Sequence, residues 1–309
     1  MILLFGFQKQ IRTIFLFLFV FPGKGQYITY DRLNWIRRLF FNGSLAERNV
    51  SNGPNMPDTH PTKRLNKKRI FLCISVLIFL SAMLVRMLKI VLDPTLPRDG
   101  AFYLLFVEHW IDTGDYYYTF FDRIRLPPPL SLWMIKKLAL TGFSLEIAGR
   151  SISMFFGSLI PVVGFFFTFR VCRNIRIALF AALLLILQPD LVLYSGHPLR
   201  ENTYIFFNGL LLLMITEAVI RDNILKWAAC GLLLAMSAFC KYEALEFFVI
   251  VPFLLAALCF FKKIKVKQAV LNASVFFLFL GLTSVFLWAC ADFDPRLFPS
   301  LMKCINQFF

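Results

Sequence analysis

Long, unbroken apolar runs separated by short polar segments dominate the chain from residue 70 onward. Seven runs come close to the ~20 residues that carry a helix across ~30 Å of hydrocarbon. They are 70–92, 150–169, 177–194, 203–220, 225–240, 244–261 and 268–290, of which 225–240 is the shortest. The runs are continuous and do not alternate. They therefore predict membrane-crossing helices and exclude a β-barrel.

One long interval, 93–149, separates the first two runs. Apolar residues recur at helical spacing over 101–111, with Phe102, Leu105, Phe106 and Trp110 near one face. The sequence Thr113-Gly114-Asp115-Tyr116 then predicts a turn, and Pro127, Pro128 and Pro129 stiffen the chain ahead of another apolar stretch, 130–142. Lys136 and Lys137 interrupt that stretch in the middle. The sequence predicts an amphipathic helix over 129–140, lying on the membrane surface rather than crossing it.

Charge fixes the orientation. Lys63, Arg64, Lys67, Lys68 and Arg69 precede the first run. Arg170, Arg173 and Arg176 follow the second, Arg221 and Lys226 follow the fourth, and Lys262, Lys263, Lys265 and Lys267 follow the sixth. Asp222 is the one acid among them. The positive-inside rule places all four segments in the cytoplasm. The opposite segments collect the acids, from Asp93 to Glu146 and then Asp190, Glu201, Glu243, Glu246, Asp292 and Asp294. Two cytoplasmic segments flank 70–169, so an even number of spans must lie between them, and 130–142 is not a third. The expectation is a multi-pass protein of the cell inner or plasma membrane. Its N-terminus is cytoplasmic, and 93–149 lies outside.

Composition agrees. Of 309 residues, 59% are hydrophobic and 17% charged, with 38 Phe. Soluble chains average about 45–50% apolar and 25% charged. The net charge of +15 is a feature of topology, and no nucleic-acid partner is expected. The seven Cys form no CxxC pair and the three His show no ligand spacing, so no metal or disulfide framework is expected. The first 55 residues differ from the rest. They hold a short run, 14–21, and a basic aromatic stretch, with Met56 beyond it. They are expected to be a dispensable basic tail or a start-site artefact, and 56–309 the functional membrane domain.

Ionisable residues are scarce inside the runs. Arg86 and Lys89 stand near one end of the first and Glu217 near the inner end of the fourth. Charge concentrates at the outer interface, which suits a reaction between a lipid headgroup and an outward-facing acceptor. Asp99 follows the first span closely, and its plain structural reading is a helix N-cap or a solvated acid. The structural alternative for Glu201 is an ion pair with Arg200. For Lys241 and Arg150 it is snorkelling toward the interface, and for Arg123 and Arg125 it is solvation on a loop.

Several positions together resemble the GT-C glycosyltransferases. They are Asp99, Tyr103, the turn at 113–116, Pro128-Pro129-Leu130, Arg150 opening the next span, the basic loop 170–176, Leu199-Arg200-Glu201, and Ala238–Tyr242 closing the fifth span. The chain is most similar to the branch that holds dolichyl-phosphate-mannose protein mannosyltransferases and aminoarabinose transferases, over about 92–261. The resemblance implies an all-α GT-C-type helix bundle with juxtamembrane helices in the first outer loop. It implies a polyprenyl-phosphate sugar donor, a lipid, glycan or protein acceptor, and no cofactor. By position it implies Asp99 as general base and Glu201 as a second acid. Arg150, Lys241, Arg123, Arg125 and Tyr103 would then serve the donor. Gly100 stands where the family often has an acid, and Pro127 where it often has a charge. Family members commonly continue with further spans, so a short or truncated member is expected here. The alternatives are a transporter or flippase-like protein and a non-catalytic relative that keeps the fold.

Overall fold

The computed structural model describes residues 61–114, 118–120, 123–125, 127–221, 223–261 and 263–290. The tail 1–55, Asp115, Asp122 and the segment 291–309 lie outside the described residues. The first helix, α1, is Pro61–Leu92. It ends where Pro94 cannot continue a helix, with Asp93 N donating to Lys89 O. Next comes α2, Arg98–Thr113, terminated by Gly114 at φ 77°, a left-handed position that glycine occupies at little cost. A short antiparallel hairpin, β1 Tyr118–Phe120 and β2 Arg123–Arg125, follows. The helix α3, Pro129–Ala139, opens on a proline at its first position.

The remaining chain is helical. α4 is Leu145–Cys172, with Ser144 Oγ accepting from Ile147 N. α5 is Ile175–Leu187, where the Asn174 side chain accepts from the N–H groups of Arg176 and Ile177. α6 is Pro189–Ser195 and α7 is Glu201–Arg221. α8, Ile224–Cys240, is capped by Asn223, which accepts from Leu225 N. A 3₁₀ turn, Tyr242–Leu245, leads into α9, Glu246–Phe260, and α10 is Val266–Cys290. Both Asn caps stand in short basic segments between runs, and each satisfies N–H groups that a helix start leaves open.

Five helices are long and apolar enough to cross a membrane: Arg69–Leu92, Leu145–Cys172, Glu201–Ile220, Tyr242–Phe260 and Val266–Ala289. Two of the seven predicted spans differ from this pattern. The run at 177–194 is not one straight span. It is α5 and α6, bent by 55° where Pro189 interrupts the helix. The run at 225–240 is α8, a shorter apolar helix of 17 residues. The all-α expectation also acquires the short hairpin. The stretch 129–140 holds the 11-residue helix α3, too short to span, and it packs against α2 and α4 through Leu132 and Ile135.

Four apolar clusters among the described residues hold the bundle, the smallest around Leu130, Phe207 and Cys240. Tyr103, Phe106, Val107 and Trp110 of α2 meet Leu132 and Ile135 of α3 and Ala148 of α4. The buried face of α2 is thus displaced from the predicted one, and Leu105 is 47% exposed. Ile78 and Ala82 of α1 meet Phe165 of α4 and Ala178, Ala182 and Ile186 of α5. Leu211, Trp227, Leu234, Val251 and Phe276 join α7 through α10. At Gly231, an added Cβ would stand 2.2 Å from Phe276 O, so only glycine lets α8 and α10 approach this closely. Leu77, Leu84, Val285 and Phe286 face outward, which a lipid solvent accommodates.

The two ends of the bundle differ. At one, Glu217 receives ion pairs from both Arg170 and Lys226, tying the ends of α4 and α7 to the start of α8. At the other, α2, α3, the 196–200 turn and the 3₁₀ turn come together. The basic segments at 170–176 and 221–226 therefore share an end, as the charge pattern requires.

Candidate functional site

The turn 196–200 delivers α7 to the loop-bearing end, and three glycines make room for it. An added Cβ at Gly149 would lie 2.5 Å from Pro198 Cβ, one at Gly100 3.1 Å from Pro198 Cγ, and one at Gly157 2.2 Å from Ser195 Oγ. Ser153 Oγ donates to Leu199 O at 2.6 Å and accepts from Leu199 N at 3.1 Å. Arg150, 7% exposed, completes the clasp. It donates to Gly196 O at 2.8 Å, Pro94 O at 2.6 Å, Thr95 O at 3.2 Å and Glu146 Oε1 at 2.9 Å. Its guanidinium is engaged in joining the α1–α2 link, α4 and the 196–200 turn.

The start of α7 carries the unusual chemistry. Arg200 Nε, Glu201 Oε2, Asn202 Oδ1 and Thr203 Oγ1 are four consecutive side chains, each with a buried polar atom that has no hydrogen-bond partner. Buried polar atoms are normally paired, and each exception calls for water, an ion or a ligand. Adjacent though they are, Arg200 and Glu201 form no ion pair. Arg200 lies over the Tyr103 ring, 5.4 Å from its centroid. Burial pushes the Tyr103 hydroxyl up to about 12; the charge of Arg200 opposes this, and those of Glu201, Asp99 and Glu243 add to it. Tyr103 therefore keeps its proton through the neutral range and can donate a hydrogen bond.

Two further groups border this cluster. Lys241, 3% exposed, ends α8 with its Nζ 5.5 Å from the Tyr204 ring centroid and 3.5 Å from Glu243 Oε1. Asp99 is exposed in the first turn of α2. It is not the N-cap, which is Pro97, and no hydrogen bond or ion pair among the described residues engages its carboxylate. A free carboxylate, a neutral phenol, an unpaired acid and two cations held over aromatic rings can bind an anion and accept a proton at one place.

The geometry sorts the residues singled out in the sequence. Asp99, Tyr103 and Glu201 come together with Arg200, and Lys241 joins them through Glu243. Arg150 is bonded instead to Gly196, Pro94, Thr95 and Glu146. Arg123 and Arg125 stand on β2, where the backbone register pairs Arg125 with Tyr118 and Arg123 with Phe120 of β1. In the sequence Arg200 stands out only as a pairing partner for Glu201, and Asn202 and Glu243 do not stand out as site residues. The available signal was the run of four polar residues opening an apolar span. Among the described residues, no group of three His, Cys, Asp or Glu is placed to hold a metal.

No family model matches this chain, and no curated protein matches it.

Proposed function

We propose that the protein is an integral-membrane glycosyltransferase that moves a sugar from a polyprenyl-phosphate donor to an acceptor hydroxyl on the outer face. The observation that carries this reading is the set of unpartnered polar atoms at 200–203, beside the free carboxylate of Asp99 and the Tyr103 hydroxyl. Asp99 takes the acceptor proton as the acceptor oxygen forms its bond to the sugar C1. The bond from C1 to the phosphate oxygen breaks on the opposite face, so the anomeric centre inverts. Polyprenyl phosphate leaves with the electron pair. Arg200 and Lys241 hold that phosphate, Arg200 from over the Tyr103 ring and Lys241 from between the Tyr204 ring and Glu243. Glu201 orients the acceptor or a sugar hydroxyl.

The apolar exterior of the bundle supports a lipid-borne donor, because the polyprenyl tail needs no path through water. The test is incubation of purified protein with labelled polyprenyl-phosphate sugars. Release of polyprenyl phosphate with formation of the inverted glycoside is the expected result. Absence of transfer across donors and acceptors would sink the reading. The transporter reading has one observation in its favour, the buried Arg86 and its polar neighbours inside the bundle. It requires movement of labelled lipid between leaflets of proteoliposomes without cleavage of the sugar–phosphate bond.

A further inference from the structure

Arg86, on α1, is the one charged side chain among the described residues with no exposed surface. Its Nε donates to Ser195 Oγ at 2.9 Å and its Nη1 to Ala82 O at 3.0 Å. Among the described residues its Nη2 has no partner, and no carboxylate pairs with the guanidinium. Ser195 Oγ donates to Leu191 O at 2.5 Å and also accepts from Asn202 Nδ2 at 2.9 Å. Asn202 Nδ2 also lies 3.3 Å from Ser153 O on α4. Gly157 faces this junction. An added Cβ would stand 3.1 Å from both Arg86 Nε and Asn202 Nδ2, so the polar groups meet only because that position lacks a side chain.

An unpaired guanidinium in the interior of a membrane bundle is costly, and an apolar residue of similar volume would serve packing better. The arrangement needs another reason, and the connection supplies one. Ser195 ends the helix before the 196–200 turn, and Asn202 lies in the first turn after it. Arg86 therefore grips both sides of the turn through one hydroxyl. We propose that Arg86 is a positioning residue, fixing the stretch 200–203 against α1 and α4 through Ser195 and Asn202. This rests on the reading of 200–203 as the substrate-binding edge. The planar fork sends two N–H groups to Ser195 and Ala82 at once, and an ammonium has no such fixed geometry.

The test uses the full chain in lipid nanodiscs, with Arg86→Met, Arg86→Lys and Ser195→Ala. Two readouts are taken: amide hydrogen exchange, and transfer from labelled polyprenyl-phosphate sugar with kcat and KM separated. In Arg86→Met, exchange should accelerate about tenfold or more in residues 195–204, while residues 225–240 and 266–289 keep their rates. Misplacement of a binding edge by about 1 Å lowers rate by about 10²-fold, so kcat should fall by that order and donor KM should change less. Ser195→Ala should repeat the local effect in smaller measure, and Arg86→Lys should restore only part. Unchanged exchange at 195–204, or equal acceleration across α8 and α10, would overturn the proposal. Should Arg86→Met fail to fold, Ser195→Ala decides by the same criterion. Should the unaltered protein transfer no sugar, the transferase reading fails, and the exchange data still decide whether Arg86 holds the turn.

Discussion

Arg200 rests over the ring of Tyr103, 5.4 Å from its centroid, and makes no ion pair with Glu201 beside it in the chain. An aromatic face holds a guanidinium without consuming its N–H groups. The cation is thus placed and still able to bind a phosphate through a two-point fork. Arg150 is the opposite case. It is nearly as well buried as Lys241, yet its N–H groups go to three backbone carbonyls and Glu146.

The two arginines should therefore fail differently. Arg200→Ala removes no side-chain hydrogen bond among the described residues and should leave the melting temperature nearly unchanged while weakening donor binding and transfer. Arg150→Ala leaves Gly196 O and Pro94 O without their charged donor. Hydrogen bonds to charged groups contribute about 1.5–3 kcal/mol, so a loss of about that size or more is expected. Thermal unfolding beside lipid-donor binding separates the two. A stable Arg150→Ala protein that no longer binds donor would reverse these assignments.

That contrast marks the limit of what the sequence discloses. The apolar runs place the helices because lipid solvation demands them, and the basic segments fall at shared ends for the same reason. The break at Pro189 was open to inspection, but apolar residues on both sides made 177–194 read as one span. Arg150 opening a span looked available for phosphate, because its acceptors lie 46–56 positions away in two different loops. Arg86 looked like an end-of-span residue, because its partner Ser195 is 109 positions distant. Asp99 and Glu201 were legible as isolated acids. What brought them to one place was the clasp on the turn 196–200.

Asp99→Asn keeps the shape of the side chain and removes its ability to take a proton. Loss of a positioned general base costs about 10²–10⁴-fold in rate. Asp99 makes no hydrogen bond among the described residues, so folding and donor affinity should be unchanged. Single-turnover transfer is the measurement. Equal rates for variant and parent would remove Asp99 from the chemistry.

Sidedness is checked by single cysteines in a background lacking the native ones. Cysteines replacing Asp99 and Lys137 should react with an impermeant maleimide from outside intact cells. A cysteine replacing Lys265 should react only after permeabilisation. The opposite pattern would invert the whole bundle. Labelling of position 137 from the cytoplasm alone would show that α3 lies on the wrong side for the proposed site.

His197 links the turn to pH. Burial, and then the positive charge of Arg150, hold its pKa below the ordinary 6.5, against the opposing influence of Asp93 and a hydrogen bond to Thr95. Lys89 adds to the lowering. The folded protein thus prefers neutral imidazole, and the unfolded chain takes up the proton more readily. The stability that His197 contributes is full above about pH 6.5 and declines as pH falls through that value. Asp93, held below the usual carboxylate range by Lys89 and Thr95, loses its contribution only at lower pH. His197→Gln should reduce the drop in melting temperature between about pH 7.5 and pH 5.5. An identical drop in both proteins would remove His197 as its source.

The tightest contact in the clasp gives a test of whether the turn must sit where it does. A Cβ at Gly149 would come within 2.5 Å of Pro198 Cβ and 3.1 Å of Leu104 Cδ2. Pro198 is part of the turn and cannot rotate away, so Gly149→Ala must move the turn or part α2 from α4. Overpacking of this kind costs about 1–3 kcal/mol, against which the better helix propensity of alanine returns at most about 1 kcal/mol. Gly281→Ala is the control, because nothing lies within 4 Å of its added Cβ. It should be neutral or slightly stabilising. Gly149→Ala should lower both the melting temperature and transfer, since the displaced turn carries Arg200 and Glu201 with it. Equal stability and equal transfer in the two variants would show that the turn tolerates displacement, and the clasp would then have no part in placing the site.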